Sequence, residues 1–87
     1  MFYYIYVLES GKDGSLYIGY TKRLRERIVK HNLKSVQSTK NKTPWKCIYF
    51  EACLNKEDAE RRETYLKTSQ GSRLLKRRLK EYMYSRK

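Results

Sequence analysis

The chain has few cysteines and no long apolar run. Its 87 residues include two cysteines, Cys47 and Cys53. They lie six residues apart in one predicted strand, which separates them by roughly 20 Å, too far for a disulfide. A single pair of thiols also lacks the spacing of a zinc cluster. Phe2–Leu8 is apolar and aromatic, but it is too short to span a membrane and has no basic leader. These features argue against a disulfide-stapled, zinc-binding or membrane-spanning protein and predict a reducing compartment, the cytoplasm.

Acidic residues are also scarce, with 9 Asp and Glu against 21 Lys and Arg, which gives a net charge of +12. A domain this basic repels itself, and the simplest reason to tolerate that repulsion is a polyanionic partner such as nucleic acid. The alternatives are a surface that serves solubility alone and a basic C-terminal helix that binds a membrane surface. The sequence contains no zinc finger, recognition helix or glycine-rich nucleotide loop, so sequence-specific readout is not predicted.

The predicted elements form one domain over residues 1–87, which suits a single small core. Two strands rich in Tyr, Ile and Val, Phe2–Leu8 and Ser15–Tyr20, flank a turn with two glycines and form a β-hairpin. The remaining predicted elements are a helix Lys22–Leu33 capped by Thr21, a third strand Trp45–Cys53, a helix from Asn55 to about Lys67 and, after a break at Gly71, a helix Arg73–Tyr84. The order β-β-α-β-α-α predicts a mixed α/β (α+β) domain, with a small three-stranded antiparallel sheet flanked by three helices.

Tyrosine is abundant, with nine residues in the chain. Tyr4 and Tyr6 share one face of the first strand, and Tyr17 lies in the strand paired with it. Hydroxyls gathered at one end of a hairpin can position water or orient a phosphate, although ordinary strand packing is the alternative for each of them. Gly19 lacks a side chain in the same region, which allows a close approach of substrate or of the next helix.

Arg27 and His31 lie four residues apart on the first predicted helix and therefore share a face. An arginine beside a bound phosphate stabilises charge that develops on a phosphoryl oxygen. The alternative is an arginine at the rim of the core, with its stem packed and its head in water. His31 is the only histidine, and both a structural and a catalytic role stay open for it.

Glu63 lies within the narrow apolar stripe of the second predicted helix, with Ala59 and Leu66 at helical spacing on either side. A carboxylate on the core side requires a cation, which is either an arginine (Arg61, Arg62 or Arg27) or a bound metal. Magnesium needs only one or two protein carboxylates when phosphate and water complete its coordination.

Basic side chains surround these candidates and are expected to contact backbone phosphates, which fixes position without reading sequence. The predicted nucleic-acid-binding residues are Lys22, Arg23, Arg25 and Lys30 on the first helix, and Lys40 and Lys42 in the loop that follows it.

Several segments resemble the GIY-YIG nuclease domain in order and in spacing. They are Tyr4-Ile5-Tyr6, Leu16–Thr21, Leu24–Ile28 and His31-Asn32, and Ala59–Lys67 looks like that family's glutamate-bearing helix. The resemblance covers nearly the whole chain and looks closest to the short, stand-alone bacterial members. Excision-repair nuclease subunits, intron homing endonucleases and junction nucleases carry the same module inside longer chains.

The resemblance implies a role for each candidate in the hydrolysis of DNA. Tyr17 would be the general base or help to activate the attacking water, and Tyr6 would assist it and orient the phosphate. Arg27 would stabilise the pentacovalent transition state, and His31 would help with proton transfer or orientation. Glu63 would hold one divalent metal ion, Mg²⁺ or Mn²⁺, which agrees with the single well-placed carboxylate found from the helix pattern.

The chain departs from the family pattern at three places. Tyr4 stands where the family name has Gly, Tyr20 stands where some members have Lys, and Thr68–Gly71 fills the region where several members carry Asn. The choice among ordinary duplex, branched and damaged DNA stays open, as do an RNA substrate and a protein partner for targeting. The competing hypotheses are a basic module that binds nucleic acid without cutting it and a subunit that depends on a partner protein.

Overall fold

A computed structural model describes residues 1–85 as a three-stranded antiparallel sheet with helices on both faces. The strands are β1 (Tyr3–Ser10), β2 (Leu16–Thr21) and β3 (Trp45–Cys53), in the order β2-β1-β3. The helices are α1 (Leu24–Asn32), α2 (Lys56–Leu66), α3 (Ser69–Arg78) and α4 (Lys80–Ser85), and a 3₁₀ turn covers Lys40–Lys42. The predicted fold class and element order are confirmed, with the last helical region divided in two.

The central strand β1 carries the core because its two faces pack against different helices. Ile5 and Val7 point to one side, where they meet residues of α2 and α3. Tyr6 and Leu8 point to the other side, where they pack with Trp45 and lie against α1. Full burial of each large apolar side chain contributes about 1.5–3 kcal/mol, so β1 is the main source of packing energy on both faces.

A β-bulge interrupts the pairing of β1 with β3. Val7 lies opposite Tyr49 and Leu8 lies opposite Cys47, so Ile48 is an extra residue on β3. Strict alternation along Trp45–Cys53, the pattern expected of a regular strand, would put Cys47 and Tyr49 on the same face, and the bulge breaks it. Cys47 packs beside Trp45, whereas Tyr49 packs against the opposite core, since an inserted residue turns the strand over at that point.

The first helix begins later than the sequence predicts. Thr21 is the last residue of β2, and its Oγ1 accepts a hydrogen bond from the Arg23 N–H at 3.0 Å. The helix starts at Leu24 without a side-chain cap, so Thr21 closes a turn between strand and helix rather than capping the helix. In contrast, Asn55 caps α2 as predicted, because its side chain accepts from two backbone N–H groups of the first turn.

The sequence predicts a helix break at Gly71, and this prediction is wrong. Gly71 lies inside α3, which begins after Thr68, and the Thr68 side chain accepts a hydrogen bond from the Gly71 N–H. A Cβ at this position would lie 2.1 Å from the carbonyl oxygen of Tyr65. The glycine is therefore required for close approach of α3 to the end of α2, and the helical region divides instead at Leu79. None of the helices within residues 1–85 has the length and apolar character needed to cross a bilayer.

Candidate active site

A buried chain of hydrogen bonds lies between β1 and α1. The Tyr6 side chain is 1 % exposed, and its hydroxyl lies 2.8 Å from Nε2 of His31, which is itself fully buried. Nδ1 of His31 lies 2.7 Å from Oγ1 of Thr39. Both ring nitrogens therefore have partners, so the orientation of the imidazole is fixed and one ring proton is enough to satisfy it.

The environment keeps both members of the pair uncharged near neutral pH. Burial, followed by the positive charge of Arg27, lowers the pKa of His31 below its ordinary value of 6.5. Burial raises the pKa of Tyr6, and the nearby Arg27 opposes part of that rise. A neutral imidazole beside a protonated phenol can relay or orient a proton without placing a charge in the core.

Gly19 makes room for Tyr6. The two residues are directly paired between β1 and β2, and a Cβ on Gly19 would lie 2.4 Å from both Cζ and Oη of Tyr6. The close approach that the sequence suggested at this glycine is therefore made by the tyrosine of the neighbouring strand. It is the missing side chain that lets the Tyr6 hydroxyl cross β2 and reach His31.

Tyr17 completes the aromatic part of the site from β2. Its ring centroid lies 5.1 Å from that of His31 and 6.3 Å from those of Tyr6 and Trp45. Unlike Tyr6, it is only partly buried. Tyr17 is therefore a tyrosine that solvent reaches in part, next to an imidazole that solvent does not reach.

Arg27 lies on the face of α1 that borders this group. It is partly buried and lines a depression of about 320 Å³ together with Tyr20, Lys22, Arg23 and Lys30. Its charge lowers the pKa of both His31 and Tyr6, which places the guanidinium beside them. An anion bound in the depression would therefore meet Arg27, whose charge also acts on the buried Tyr6 hydroxyl.

Glu63 approaches the same group from α2. Its side chain is 22 % exposed and pairs with Nζ of Lys67 at 3.0 Å, so its cation is Lys67 and not one of the arginines considered from the sequence. Arg61 pairs with Asp58, and Arg62 pairs with Glu51. The negative charge of Glu63 contributes to the raised pKa of Tyr6. No group of three or more His, Cys, Asp or Glu side chains suited to a metal occurs in the part of the chain that the structure describes.

The predicted nucleic-acid-binding residues fall into two areas. Lys22, Arg23 and Lys30 share the depression of Arg27, and Arg25 lines an adjoining one. Lys40 lies elsewhere, in a separate depression of about 460 Å³ lined also by Lys12 and Lys34. Lys42 pairs with Asp13 at 3.3 Å. The first area adjoins the candidate site, and the second does not.

Three residues that hold the site together were not singled out as functional from the sequence. Oδ1 of Asn32 accepts a hydrogen bond from the backbone N–H of Trp45 at 2.6 Å, and Nδ2 of Asn32 donates one to the Trp45 carbonyl oxygen at 3.0 Å. The Trp45 indole donates to the Thr39 carbonyl at 2.9 Å. These bonds fix the loop that carries Thr39 against α1 and so fix the partner of His31. A Thr in a polar loop gives no local signal of such a role.

The sequence matches the family profile described as the GIY-YIG catalytic domain over residues 2–78. The chain belongs to the GIY-YIG family. This GIY-YIG domain is 40% identical to a UPF0213 protein of Staphylococcus saprophyticus, over 85% of this chain and 90% of that protein. It is 45% identical to a UPF0213 protein of Streptococcus pneumoniae, over 74% and 65% of the two chains. The solution NMR structure of the UPF0213 protein BH0048 from Bacillus halodurans aligns with a TM-score of 0.54 at 36% identity, covering 86% of this chain and 82% of that one.

The two motifs that give the GIY-YIG family its name lie side by side in this sheet. Tyr4-Ile5-Tyr6 is in β1 and Tyr17-Ile18-Gly19 is in β2, with Tyr6 paired directly to Gly19. The last tyrosine of the first motif thus depends on the glycine of the second motif for its position. The GIY-YIG family is a nuclease family, and the substrate that it implies is nucleic acid.

Proposed function

We propose that this protein is an endonuclease that hydrolyses phosphodiester bonds in DNA with one divalent metal ion, Mg²⁺ or Mn²⁺. The observation that carries the proposal is the buried Tyr6–His31 pair with Arg27 beside it. Tyr17 packs against the same imidazole, and the negative charge of Glu63 contributes to the raised pKa of Tyr6. Five candidates from four elements, β1, β2, α1 and α2, thus support one proposed site, and a basic depression borders it.

The proposed roles follow from exposure and charge. Tyr17 is the general base, or helps to activate the attacking water, because it is the more exposed of the two tyrosines. Tyr6 stays protonated, since burial raises its pKa, and donates a hydrogen bond to the phosphate or the water. His31 orients Tyr6, because its Nε2 lies 2.8 Å from the Tyr6 hydroxyl. Arg27 stabilises the negative charge that develops on the phosphoryl oxygens, an effect typically worth about 10²–10³ in rate.

Glu63 fits the role of a metal ligand. Its carboxylate supplies hard oxygen ligands, and it is exposed enough to accept an ion that keeps most of its own waters. A bound divalent ion would neutralise charge on the phosphate and the leaving oxygen. Lys67 must release Glu63 for that purpose, and a partly exposed ion pair of this kind is worth only about 0.5 kcal/mol.

The test is a panel of labelled nucleic acids incubated with and without Mg²⁺ or Mn²⁺. It contains linear, nicked, flapped and branched DNA, single-stranded DNA, and RNA. Arg27→Ala and Glu63→Gln should abolish metal-dependent cleavage, whereas Glu57→Gln, which changes an exposed acid on the same helix, should leave it unchanged. Equal cleavage by wild type and all three variants would indicate a contaminant and refute the proposal.

The second candidate is a basic module that binds nucleic acid without cutting it, and the net charge of +12 favours it. Binding whose affinity falls steeply with salt, without cleavage of any substrate in the panel, would establish this function instead. Cleavage that appears only when a partner protein is added would establish a partner-dependent nuclease. The two free thiols, Cys47 and Cys53, support a proposed location in the reducing cytoplasm.

A further inference from the structure

Three aromatic rings form an exposed patch, which we call the aromatic platform: Phe2 just before β1, Tyr4 in β1 and Phe50 in β3. Phe2 and Phe50 are 48% and 53% exposed, and Tyr4 lies partly buried between them. The ring centroids of Phe2 and Tyr4 are 6.5 Å apart, and those of Tyr4 and Phe50 are 5.9 Å apart. Single exposed apolar residues are normal, but contiguous rings on a highly charged surface mark an interaction site.

The platform has a basic border. Tyr4 and Phe50 line a depression of about 520 Å³ together with Lys22, Arg23 and Arg25. Its one acid, Glu26, is 3.5 Å from Arg23 in a well-exposed ion pair that neutralises little of this field. A second copy of this chain would bring the same strong positive charge to the patch, whereas a polyanion would complement it.

The platform also adjoins the candidate active site. Its depression shares Lys22 and Arg23 with the depression that Arg27 lines. Phe50 is paired directly with Tyr6 across the sheet, and Tyr4 is two residues from Tyr6 on the same face, roughly 7 Å along the strand. A nucleic acid strand with one phosphate at Arg27 therefore reaches the platform with its neighbouring nucleotide.

We propose that the aromatic platform stacks an unpaired nucleobase next to the scissile bond, so that the substrate class is nucleic acid with a single-stranded segment. Aromatic rings beside cations that follow the backbone are the features that bind single strands, because every base offers a face for stacking. Bases inside an intact duplex are already stacked on one another and cannot reach a sheet face. The proposal rests on the proposed nuclease function only for the position of the scissile bond.

Binding tests the platform without any cleavage step. Phe50→Trp adds an exposed indole to a chain whose one other tryptophan, Trp45, is buried. In EDTA, a short oligo-dT strand should quench the new indole, and a blunt duplex of equal length should not. Leu54→Trp places an indole at a comparably exposed site outside the platform, and neither nucleic acid should quench it.

Replacing the ring separates stacking from apolar docking. Phe50→Ala and Phe50→Leu should both weaken binding of the single strand roughly fivefold to a hundredfold, whereas Phe50→Tyr should bind as wild type and duplex affinity should stay within about twofold. Leu54→Ala is the matched control for loss of an exposed apolar side chain. Thermal denaturation of each variant verifies that the fold is retained, which the exposure of Phe50 leads us to expect.

Each outcome decides the proposal. Equal affinity of wild type and Phe50→Ala for the single strand would overturn it, as would equal quenching by duplex. Full binding by Phe50→Leu would overturn stacking and indicate an apolar contact. Loss of self-association in Phe50→Ala without a change in affinity for the single strand would assign the patch to a contact between copies. Stacking of the single strand without cleavage would support the platform and refute the proposed nuclease function. Cleavage of intact duplex without a single-strand preference would support the nuclease function and refute the platform.

Discussion

Replacement of Gly19 by alanine should push Tyr6 out of the candidate active site. The new Cβ would lie 2.4 Å from Cζ and Oη of Tyr6 and 2.8 Å from Cε1, where ordinary contacts are 3.4–4 Å. The ring must therefore move by about 1 Å or the strands must separate. Tyr6 has no free space to enter, since it is 1 % exposed and its hydroxyl is held by His31. Overpacking of this kind costs about 1–3 kcal/mol.

In a domain of this size each kcal/mol shifts the melting temperature by about 4–8 °C, so Gly19→Ala should melt roughly 4–24 °C lower than wild type. Circular dichroism during heating measures this. The imidazole signals of His31, the chain's one histidine, should shift in the NMR spectrum, because its hydrogen bond to Tyr6 lengthens. Cleavage should fall with the loss of Tyr6 from its position.

A double-mutant cycle identifies the cause. Tyr6→Leu removes all three ring atoms that the new Cβ would meet, so Gly19→Ala should cost much less in that background than in wild type. An unchanged melting temperature in Gly19→Ala would refute the reasoning. An equal loss in both backgrounds would show that the strand itself, and not Tyr6, requires the glycine.

Further predictions concern pH, helix packing and the metal ligand. The pKa of His31 is lowered on folding, by burial and then by a neighbouring arginine, so the unfolded chain binds the proton more readily. The stability contributed by this shift should be complete above about pH 6.5 and decline as pH falls through the folded pKa of His31. The urea midpoint of unfolding, measured against pH, should lose this dependence in His31→Asn. An unchanged pH dependence in that variant would contradict the prediction. Gly71→Ala should unfold the domain or nearly so, because its Cβ would meet the backbone of Tyr65 and Leu66, and native-like amide dispersion in its NMR spectrum would contradict this. Lys67→Gln should lower the half-saturating Mg²⁺ concentration about twofold by releasing Glu63, as measured by metal titration of NMR shifts, and weaker Mg²⁺ binding would count against the assigned ligand.

The elements that follow local rules could be predicted from the sequence. The hairpin and the shared face of Tyr4 and Tyr6 follow from a period of two and a turn with two glycines. The start of α2 follows from the Asn55 cap. The pair of Lys67 with Glu63 also follows a local rule, the i,i+4 spacing on a helix, so the sequence contains a signal that favours Lys67 over an arginine as the partner of Glu63.

The features that depend on contacts distant in sequence could not be predicted. The bulge in β3 arises from pairing with β1, so no pattern within Trp45–Cys53 shows that Cys47 changes face. Gly71 reads locally as a helix breaker, and only the contact of α3 with the end of α2 shows that a glycine is required inside the helix. Thr39 lies in a polar loop, and its bond to His31 exists because Trp45 and Asn32 hold that loop in place.

The buried polar chain allows a final distinction between stability and chemistry. Polar groups in so small a core are costly, and removal of one partner leaves another unsatisfied at about 1–3 kcal/mol. Tyr6→Phe alone should therefore destabilise the protein. Simultaneous replacement of the three linked side chains, by Tyr6→Phe, His31→Leu and Thr39→Val, leaves none of them without its partner in the trio. This triple variant should be nearly neutral in urea unfolding, yet abolish cleavage. Such a result would mean that the Tyr6–His31–Thr39 chain is kept for its chemistry, whereas a triple variant much less stable than Tyr6→Phe would mean that it holds the fold together.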